Sequence, residues 1–374
     1  MTARVLGIGT AVPERRLAQA ELRDFFARQP GMTPLAARLV RAAFDESAID
    51  GRHTVLREFG GEPGAFFAAD GGLRSPSTGE RNGRYREEAP ALFAAAATAA
   101  LRNADVAASE VTQVLTVSCT GCFAPGPDFL LVRDLGLDPR TPRAHLGFMG
   151  CAAAFPALRA AQSACLADPA TVVLVVSAEV CSLHLRASTD PEQIVSSAVF
   201  ADGAAAAVVA GADRPSTGRA IELGAFTTQV TSEGEPDMDW TIGDAGFDMR
   251  LSARVPKIIG REIAGVAAAM FEDDPGRRAE VAAWAVHPGG KAVLDRVQAG
   301  LGLDDADLAA SRAVLRQYGN MSSATILFIL QRLLGGAAPV PDGGLVAAMC
   351  FGPGLTVETA MLTVRRAEVG RESA

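Results

Sequence analysis

Short apolar runs of strand type alternate with alanine-rich runs of helix type along the whole chain. "ATVVLVVSAEV" (170–180) is apolar without alternation, a pattern typical of a strand buried on both faces. "APALFAAAATAALRNA" (89–104) has the composition of a strong helix. Strands and helices that alternate in this way predict an α/β fold with largely buried sheets.

The same succession of elements occurs on both sides of "GADRPSTGR" (211–219), a stretch rich in turn-forming residues. We therefore predict an N-terminal half at residues 1–212 and a C-terminal half at 213–374. Residues 57–88 are rich in glycine and charge, and they are predicted to form a surface excursion. Further strands are predicted at 3–12, 111–119, 203–211, 281–290 and within 344–366, and further helices at 129–137, 291–303 and 321–336.

Charge and hydropathy argue against several functional classes. The formal net charge is −8 and no basic cluster occurs, so we expect no nucleic-acid partner. No run of about 18 apolar residues is present, so we expect no membrane span, and the N-terminus is not typical of a secretory signal. The six cysteines are interpreted as reduced thiols of a cytoplasmic protein.

Two short motifs are too weak to indicate a metal or a cofactor. "CTGC" (119–122) is one CxxC without a second pair, so no metal site is expected. "GIGTAVP" (7–13) lacks the third glycine and the downstream acidic residue of a dinucleotide-binding loop. We therefore predict an enzyme without a metal or cofactor.

Three turns each present one reactive side chain. Cys151 opens a helix in "GFMGCAAAFPALRAA", His287 ends a strand in "AVHPGG", and Asn320 precedes a helix in "QYGNMSSAT". A helix N-terminus and a nearby imidazolium can lower the pKa of a cysteine, and the thiolate is a nucleophile. Pro156 lies about one turn into the predicted helix, where proline removes a backbone donor, so we expect an irregular first turn.

Each of these residues also has a plain structural interpretation. Cysteine is often a small buried hydrophobe, a histidine at a strand end is often a satisfied polar residue, and asparagine before a helix is an ordinary N-cap. The combination is more informative, because His287 and Asn320 are uncharged donors that can stabilise an enolate or a thioester oxyanion. No carboxylate adjoins the three reactive residues in their motifs, and such a charge would oppose enolate formation.

Four motifs together resemble those of the type III polyketide synthases, the chalcone and stilbene synthase family. They are "GFMGCAAAFPALRAA", "WAVHPGGKAVLD", "YGNMSSATILFIL" and "FGPGLTVETAML", and they occur in the family's order along nearly the whole chain. "GNMSSA" and "FGPG" are the specific ones, because they separate this family from related ketoacyl synthases. "AVFADGAAAAVVAG" (198–211) and "SCTGCFAPGPD" (118–128) match as well.

The resemblance implies a five-layered αβαβα thiolase fold built from two similar halves, and a homodimer. It implies that Cys151 carries the acyl group and that His287 and Asn320 promote decarboxylation of malonyl-CoA and stabilise the enolate. Phe200 matches the gatekeeper phenylalanine between the coenzyme A tunnel and the reaction cavity. Further residues match substrate-binding positions of that cavity and its supporting loop: Ser322, Gly352, Pro353 and Gly354, with Cys350 in place of the loop's usual first glycine.

Several positions depart from the plant enzymes of the family. Met249 occupies the second gatekeeper position, and Cys119 occupies a cavity position that is threonine in plant chalcone synthases. The stretch that matches the basic coenzyme A entrance, "SAIDGRH" (47–53), keeps only Arg52, although Arg38 and Arg41 can compensate. Aromatic residues make up 6% of the chain, so we expect an aliphatic starter, arriving on coenzyme A or on a carrier protein.

The predicted function is iterative, decarboxylative condensation of malonyl-CoA onto an acyl starter, followed by cyclisation to an alkylpyrone or alkylresorcinol. A single-round β-ketoacyl-carrier-protein synthase shares the implied fold and the three reactive residues. A thioester hydrolase with a cysteine nucleophile and a non-catalytic partner subunit are two further alternatives. These four possibilities predict different products from malonyl-CoA.

Overall fold

The computed structural model describes residues 2–59, 63–335 and 340–366. The strands are β1 (Ala3–Ala11), β2 (Arg16–Ala18), β3 (Gly51–His53), β4 (Gln113–Ser118), β5 (Arg143–Gly147), β6 (Val172–Val180), β7 (Asp202–Ala210), β8 (Ala220–Val230), β9 (Met238–Gly243), β10 (Gly246–Leu251), β11 (Val281–Val286), β12 (Leu345–Gly352) and β13 (Thr356–Arg365). The helices are α1 (Gln19–Ala27), α2 (Pro34–Asp45), α3 (Thr78–Ala104), α4 (Pro127–Asp134), α5 (Ala154–Ala167), α6 (Pro191–Val199), α7 (Val255–Met270), α8 (Lys291–Leu301), α9 (Ala309–Tyr318) and α10 (Thr325–Gly335). The predicted α/β class is confirmed.

Nine strands form one mixed sheet in the order β11-β12-β13-β8-β1-β7-β6-β4-β5. In the first half β4 runs parallel to β6, and β6–β7 and β7–β1 are antiparallel. In the second half β11 runs parallel to β12, and β12–β13 and β13–β8 are antiparallel. The two halves therefore repeat one strand order, and the antiparallel pairing of β1 with β8 joins them.

Three clusters of buried side chains divide the molecule into five layers. One cluster lies between α3 and the outer face of the first half-sheet. The second surrounds α5 and α10, which lie between the two half-sheets, and the third lies between α7, α8 and the outer face of the second half-sheet. This layering positions the N-terminal ends of α5 and α10 in the centre of the molecule, where Cys151 and Asn320 are found.

Glycine allows the first strand to approach the longest helix closely. A Cβ atom on Gly9 of β1 would lie 2.2 Å from the backbone nitrogen of Ala100 in α3. Any larger residue would force the helix away from the sheet. The glycines in "GIGTAVP" therefore have a packing role.

The predicted surface excursion at residues 57–88 is wrong over much of its length. Helix α3 begins at Thr78, because Ser77 Oγ accepts from Glu80 N–H while the Glu80 carboxylate accepts from Ser77 N–H. Phe67 and Tyr85 are fully buried. Their apolar rings join the core although glycine and charge surround them in the sequence, and residues 60–62 of the stretch lie outside the described residues.

Other predicted boundaries fall close to the observed ones. The predicted division after residue 212 lies in the connection between β7 and β8. Residues 1 and 367–374 of the predicted halves, and the last residue of the predicted helix at 321–336, lie outside the described residues. In the part of the chain that the structure describes, no helix is long and apolar enough to cross a bilayer.

Candidate active site

Cys151 lies in a short 3₁₀ turn, Gly150–Ala152, that immediately precedes α5. Gly150 has a φ of +62°, a backbone conformation that favours glycine, and this turn places the Cys151 side chain in the interior with 6% exposure. Pro156 is the third residue of α5 rather than one turn into it. The N–H that proline lacks has no intrahelical acceptor at this position, so Pro156 removes no helix hydrogen bond.

His287 follows directly after β11 at the carboxyl end of a parallel strand pair. Its backbone N–H donates to Met349 O on β12 (2.8 Å), which fixes the residue at the sheet edge. The side chain is completely buried, and neither ring nitrogen has a hydrogen-bond partner among the described residues. A buried imidazole with two free nitrogens is an exception in folded proteins and indicates a functional group.

Asn320 is held by hydrogen bonds on both sides of its backbone and on its side chain. Its N–H donates to Val199 O, and its own carbonyl accepts from Ala201 N–H, both at 2.8 Å. The Asn320 Oδ1 accepts from Ser322 N–H at 2.8 Å, and Nδ2 donates one hydrogen to Gly289 O at 3.5 Å, so its second hydrogen remains to donate elsewhere. Cys151 Sγ lies 3.9 Å from Oδ1 and 4.0 Å from Nδ2 of Asn320.

Two cavities meet at Cys151. We call the first the inner cavity: it has about 740 Å³ of empty space and is lined by Cys119, Cys151, Phe200, Met249, Ser322 and Pro353, among others. We call the second the outer cavity: it has about 1080 Å³ and is lined by Cys151, His287, Asn320, Phe200, Glu46 and Lys291, among others. The structure thus brings the three predicted reactive residues to one cavity, although they are far apart in the sequence.

Burial controls the charge of the reactive groups in this structure. It raises the pKa of the Cys151 thiol to about 12, and hydrogen bonds from Ser322 and Asn320 oppose this shift only in part. It also lowers the pKa of His287 to about 3. Both groups are therefore uncharged near neutral pH, and the pKa lowering expected from a helix N-terminus and an imidazolium is not found.

Phe200, whose gatekeeper role stays a prediction, is shared by the two cavities. It is 8% exposed and lines both of them. Met249, in the hairpin of β9 and β10, lines the inner cavity, and Gln193 Nε2 donates to its carbonyl at 2.7 Å. Met238, at the start of the same hairpin, lines both cavities and was not predicted from the sequence.

Cys119 and Ser322 line the inner cavity next to Cys151. Cys119 Sγ accepts from Gly150 N–H at 3.1 Å, so this thiol also supports the nucleophile turn. Cys181 lines the same cavity, although no functional role was predicted for it from the sequence. Three buried thiols therefore surround the inner cavity.

The loop after β12 packs against the nucleophile turn. Of its three predicted substrate-binding residues, only Pro353 lines the inner cavity. A Cβ atom on Gly352 would lie 2.9 Å from Met149 O, and Gly354 has a φ of +103°. Gly352 and Gly354 therefore allow close packing and a tight turn, and their contact with substrate stays a prediction.

The prediction that Arg52 contributes to a coenzyme A entrance is wrong. Arg52 is 3% exposed and lines neither cavity. Its Nε donates to Gln19 Oε1 at 3.0 Å, and its Nη1 donates to the carbonyl of Phe200. Burial lowers the pKa of Arg52 to about 9, and the charge of Asp202 opposes this shift. Through its hydrogen bond to the carbonyl, Arg52 holds the backbone of Phe200 in place. Arg38 and Arg41, by contrast, lie exposed on α2.

We expect Arg52→Ala to lower the free energy of unfolding by about 3–5 kcal/mol, because it removes two buried hydrogen bonds of a charged guanidinium, to Gln19 Oε1 and to the Phe200 carbonyl. Urea unfolding measures the change. The matched control is Arg38→Ala at an exposed site, with an expected change within about 0.5 kcal/mol. Equal stability of the two variants, together with a raised KM for coenzyme A thioesters in Arg52→Ala, would restore the entrance role.

Two sequence profiles match the chain. "Chalcone and stilbene synthases, N-terminal domain" matches residues 1–214, and "Chalcone and stilbene synthases, C-terminal domain" matches residues 222–365. Three relatives with the name 3,5-dihydroxyphenylacetyl-CoA synthase match the chain. The protein from Streptomyces toyocaensis is 31% identical over 364 residues, which covers 96% of this chain and 89% of the relative. The protein from Amycolatopsis balhimycina is 31% identical over 362 residues, which covers 96% and 92%.

Two solved structures are similar over nearly their full length. One is the C-terminal type III polyketide synthase domain of Steely1 from Dictyostelium, with a TM-score of 0.88 and 27% identity, covering 97% of this chain and 99% of that one. The other is PKS-I from the brown alga Ectocarpus siliculosus, with a TM-score of 0.88 and 28% identity, covering 97% and 98%. Sequence and fold therefore point to the same group of proteins.

Proposed function

Because the chain belongs to the chalcone and stilbene synthase family, the type III polyketide synthases with the thiolase fold, and is thus an acyltransferase, we propose that it extends an acyl starter with malonyl-CoA over several rounds. One observation carries the proposal. A buried thiol, an oriented amide and an imidazole without hydrogen-bond partners in the described part of the chain line one cavity, and a second cavity lies beyond Phe200.

In the first step Cys151 accepts the starter. The thiol transfers its proton to His287, and Sγ attacks the acyl carbon of the thioester. The carrier thiolate leaves with the proton from His287, and the acyl group remains on Cys151. A proton transfer within the pair forms the two charges together, so each offsets part of the burial cost of the other.

In the second step malonyl-CoA enters the outer cavity and loses carbon dioxide. The electron pair of the broken C–C bond forms the enolate of acetyl-CoA. A neutral His287 and the Asn320 Nδ2–H group can both donate to the enolate oxygen. The pKa of His287, lowered by burial, keeps the imidazole uncharged, so it stabilises the enolate as a hydrogen-bond donor.

In the third step the enolate carbon attacks the acyl carbon on Cys151. The C–S bond breaks, the thiolate is regenerated, and the product is a β-ketoacyl-CoA that is two carbons longer. Reloading of this product onto Cys151 starts another round. The growing chain passes Phe200 into the inner cavity, where it cyclises.

We propose an aliphatic starter and a pyrone or resorcinol-type product. Met238 and Met249 beside Phe200 supply a flexible apolar passage that suits an alkyl chain. A second product class is favoured by the relatives' name, a 3,5-dihydroxyphenylacetyl thioester. The inner cavity has an aromatic wall on which such a ring would pack, since the His184 and Phe247 rings stack at 4.4 Å and Trp240 meets them edge-on.

We also propose a homodimer. β5 is the edge strand of the nine-stranded sheet, and Phe148 and Met149 next to it are 37% and 40% exposed. An exposed edge strand beside apolar side chains is a suitable surface for a second copy. These residues lie just before Cys151, so dimer contacts would support the nucleophile turn.

Mass spectrometry of products tests the function. The protein is incubated with malonyl-CoA alone and with malonyl-CoA plus acyl-CoA starters of increasing length. We expect cyclised products that contain the starter and more than one two-carbon unit. A single extension would identify a ketoacyl synthase, and free acid without malonyl-CoA consumption would identify a hydrolase. A 3,5-dihydroxyphenylacetyl thioester, whose eight acyl carbons equal four two-carbon units, would identify the second product class.

A further inference from the structure

The outer cavity contains very little charge for a site that takes a phosphorylated substrate. Of the described residues that line it, only Glu46 and Lys291 carry charged side chains. Lys291 is 49% exposed at its side chain, whereas Cys151, His287 and Asn320 are 6%, 0% and 1% exposed. Lys291 therefore marks the solvent end of the cavity, and the three reactive residues mark its buried end.

Lys291 is the first residue of α8, an 11-residue helix that begins at the cavity wall. Its N-cap residue is Gly290, so no side chain caps the helix. Val293 N–H donates to Gly290 O in this turn, so the helix dipole and the N–H groups of Lys291 and Ala292 favour an anion here, and the Lys291 ammonium adds a full positive charge. Glu46, at the end of α2, is the one acidic side chain among the described lining residues and disfavours an anion there.

The buried end of the same cavity independently indicates a ligand. His287 is completely buried there, and both of its ring nitrogens lack partners among the described residues. A thioester on a phosphopantetheine arm has its reactive carbonyl at one end and a phosphate at the other. The cavity offers free donors at the buried end and a cation on a helix N-terminus at the solvent end.

We propose that Lys291 and the first turn of α8 bind the phosphate of the phosphopantetheine arm, which coenzyme A thioesters and carrier-protein thioesters share. This inference rests on the proposed function and assigns the phosphate to α8, not to the segment around Arg52. Lys291 Nζ now lies 2.6 Å from Asp295 Oδ2, and Arg312 Nη2 lies 2.8 Å from Asp295 Oδ1. Arg312 remains with Asp295 when Lys291 turns to a phosphate, so no carboxylate is left without a partner.

Binding measurements on Lys291→Glu test the proposal without requiring turnover. Calorimetry of the full-length protein with coenzyme A, 4′-phosphopantetheine and pantetheine separates the phosphate from the rest of the arm. We expect Lys291→Glu to weaken the first two ligands by about tenfold or more, which is the contribution of one hydrogen bond to a charged group, and to leave pantetheine unchanged. Lys257→Glu is the matched control, because Lys257 is the only other lysine in the sequence and is exposed on α7 outside the cavity.

Unchanged coenzyme A affinity in Lys291→Glu, or an equal loss for pantetheine, would overturn the proposal. Lys291→Gln gives a second variant in case charge reversal disturbs α8. Loading of Cys151 from acetyl-CoA and from an acetylated carrier protein, followed by intact mass, identifies the source of the arm, and Lys291→Glu must slow whichever loading occurs. A wild type that binds coenzyme A through Lys291 but forms no polyketide would refute the proposed function and leave this inference intact.

Discussion

Cys151→Ala is expected to abolish both acyl loading and product formation, with a loss of at least about 10³-fold in condensation rate. The reason is that Cys151 Sγ is the nucleophile of the proposed first step, and the methyl side chain of alanine cannot act as a nucleophile. Incubation with acyl-CoA followed by intact mass measures loading, and product mass after addition of malonyl-CoA measures condensation. Release of carbon dioxide from malonyl-CoA should persist, because His287 and Asn320 are unchanged.

Cys165→Ala is the matched control for this experiment. Cys165 is a buried cysteine of α5, the helix that follows the nucleophile turn, and its Sγ contacts Thr171 O in the core. This variant should load and condense normally. Full-length product from Cys151→Ala would show that the acyl group is carried elsewhere and would contradict the mechanism.

His287→Ala is expected to reduce condensation by about 10²–10³-fold, the usual effect of removing one oxyanion donor. Decarboxylation of malonyl-CoA should fall in parallel, because the enolate loses a donor. Loading should become slower but continue. Alkylation of Cys151 by iodoacetamide should also slow at neutral pH, because burial holds the pKa of the thiol near 12 and His287 is the base available to it.

His184→Gln separates a catalytic histidine from a structural one. His184 lines the inner cavity, but its Nε2 contacts Thr120 O at 2.8 Å and its Nδ1 accepts from Phe247 N–H at 3.0 Å. Glutamine retains a donor for Thr120, so condensation should be preserved.

Normal decarboxylation in His287→Ala would disprove the assignment of the enolate donor.

Much of the fold was predictable because its elements are strongly patterned. The buried strands β6 and β7 and the apolar helix α10 contain continuous apolar runs, and all three were found close to their predicted positions. The start of α3 was missed although "SPSTGE" contains the capping-box residues Ser77 and Glu80. The glycine and charged residues around this motif are typical of a loop, so the start of the helix was not recognised. Few apolar residues in the stretch indicated that it joins the core.

The reactive residues of the site were predictable because they lie in turns, whereas several residues of the cavity walls were not. Cys151, His287 and Asn320 each lie at the end of a regular element in a short motif, so their convergence followed from the α/β arrangement. Arg52 was misassigned because the resemblance matched it to a basic coenzyme A entrance, and only the tertiary neighbours Gln19 and Phe200 explain its burial. The sequence similarly contained no local signal for a Lys291 side chain at the cavity wall.

The isolated backbone bridge between Phe200 and Asn320 has a consequence for redesigning substrate range. The residues on either side of Phe200 hold the Asn320 backbone, so a substitution that shifts the Phe200 backbone should also move the Asn320 amide and lower turnover along with selectivity. Met238 and Met249 belong to a separate two-stranded hairpin outside the main sheet. Substitutions at Met238 and Met249 should therefore change the range of accepted acyl chains with the smallest loss of condensation rate.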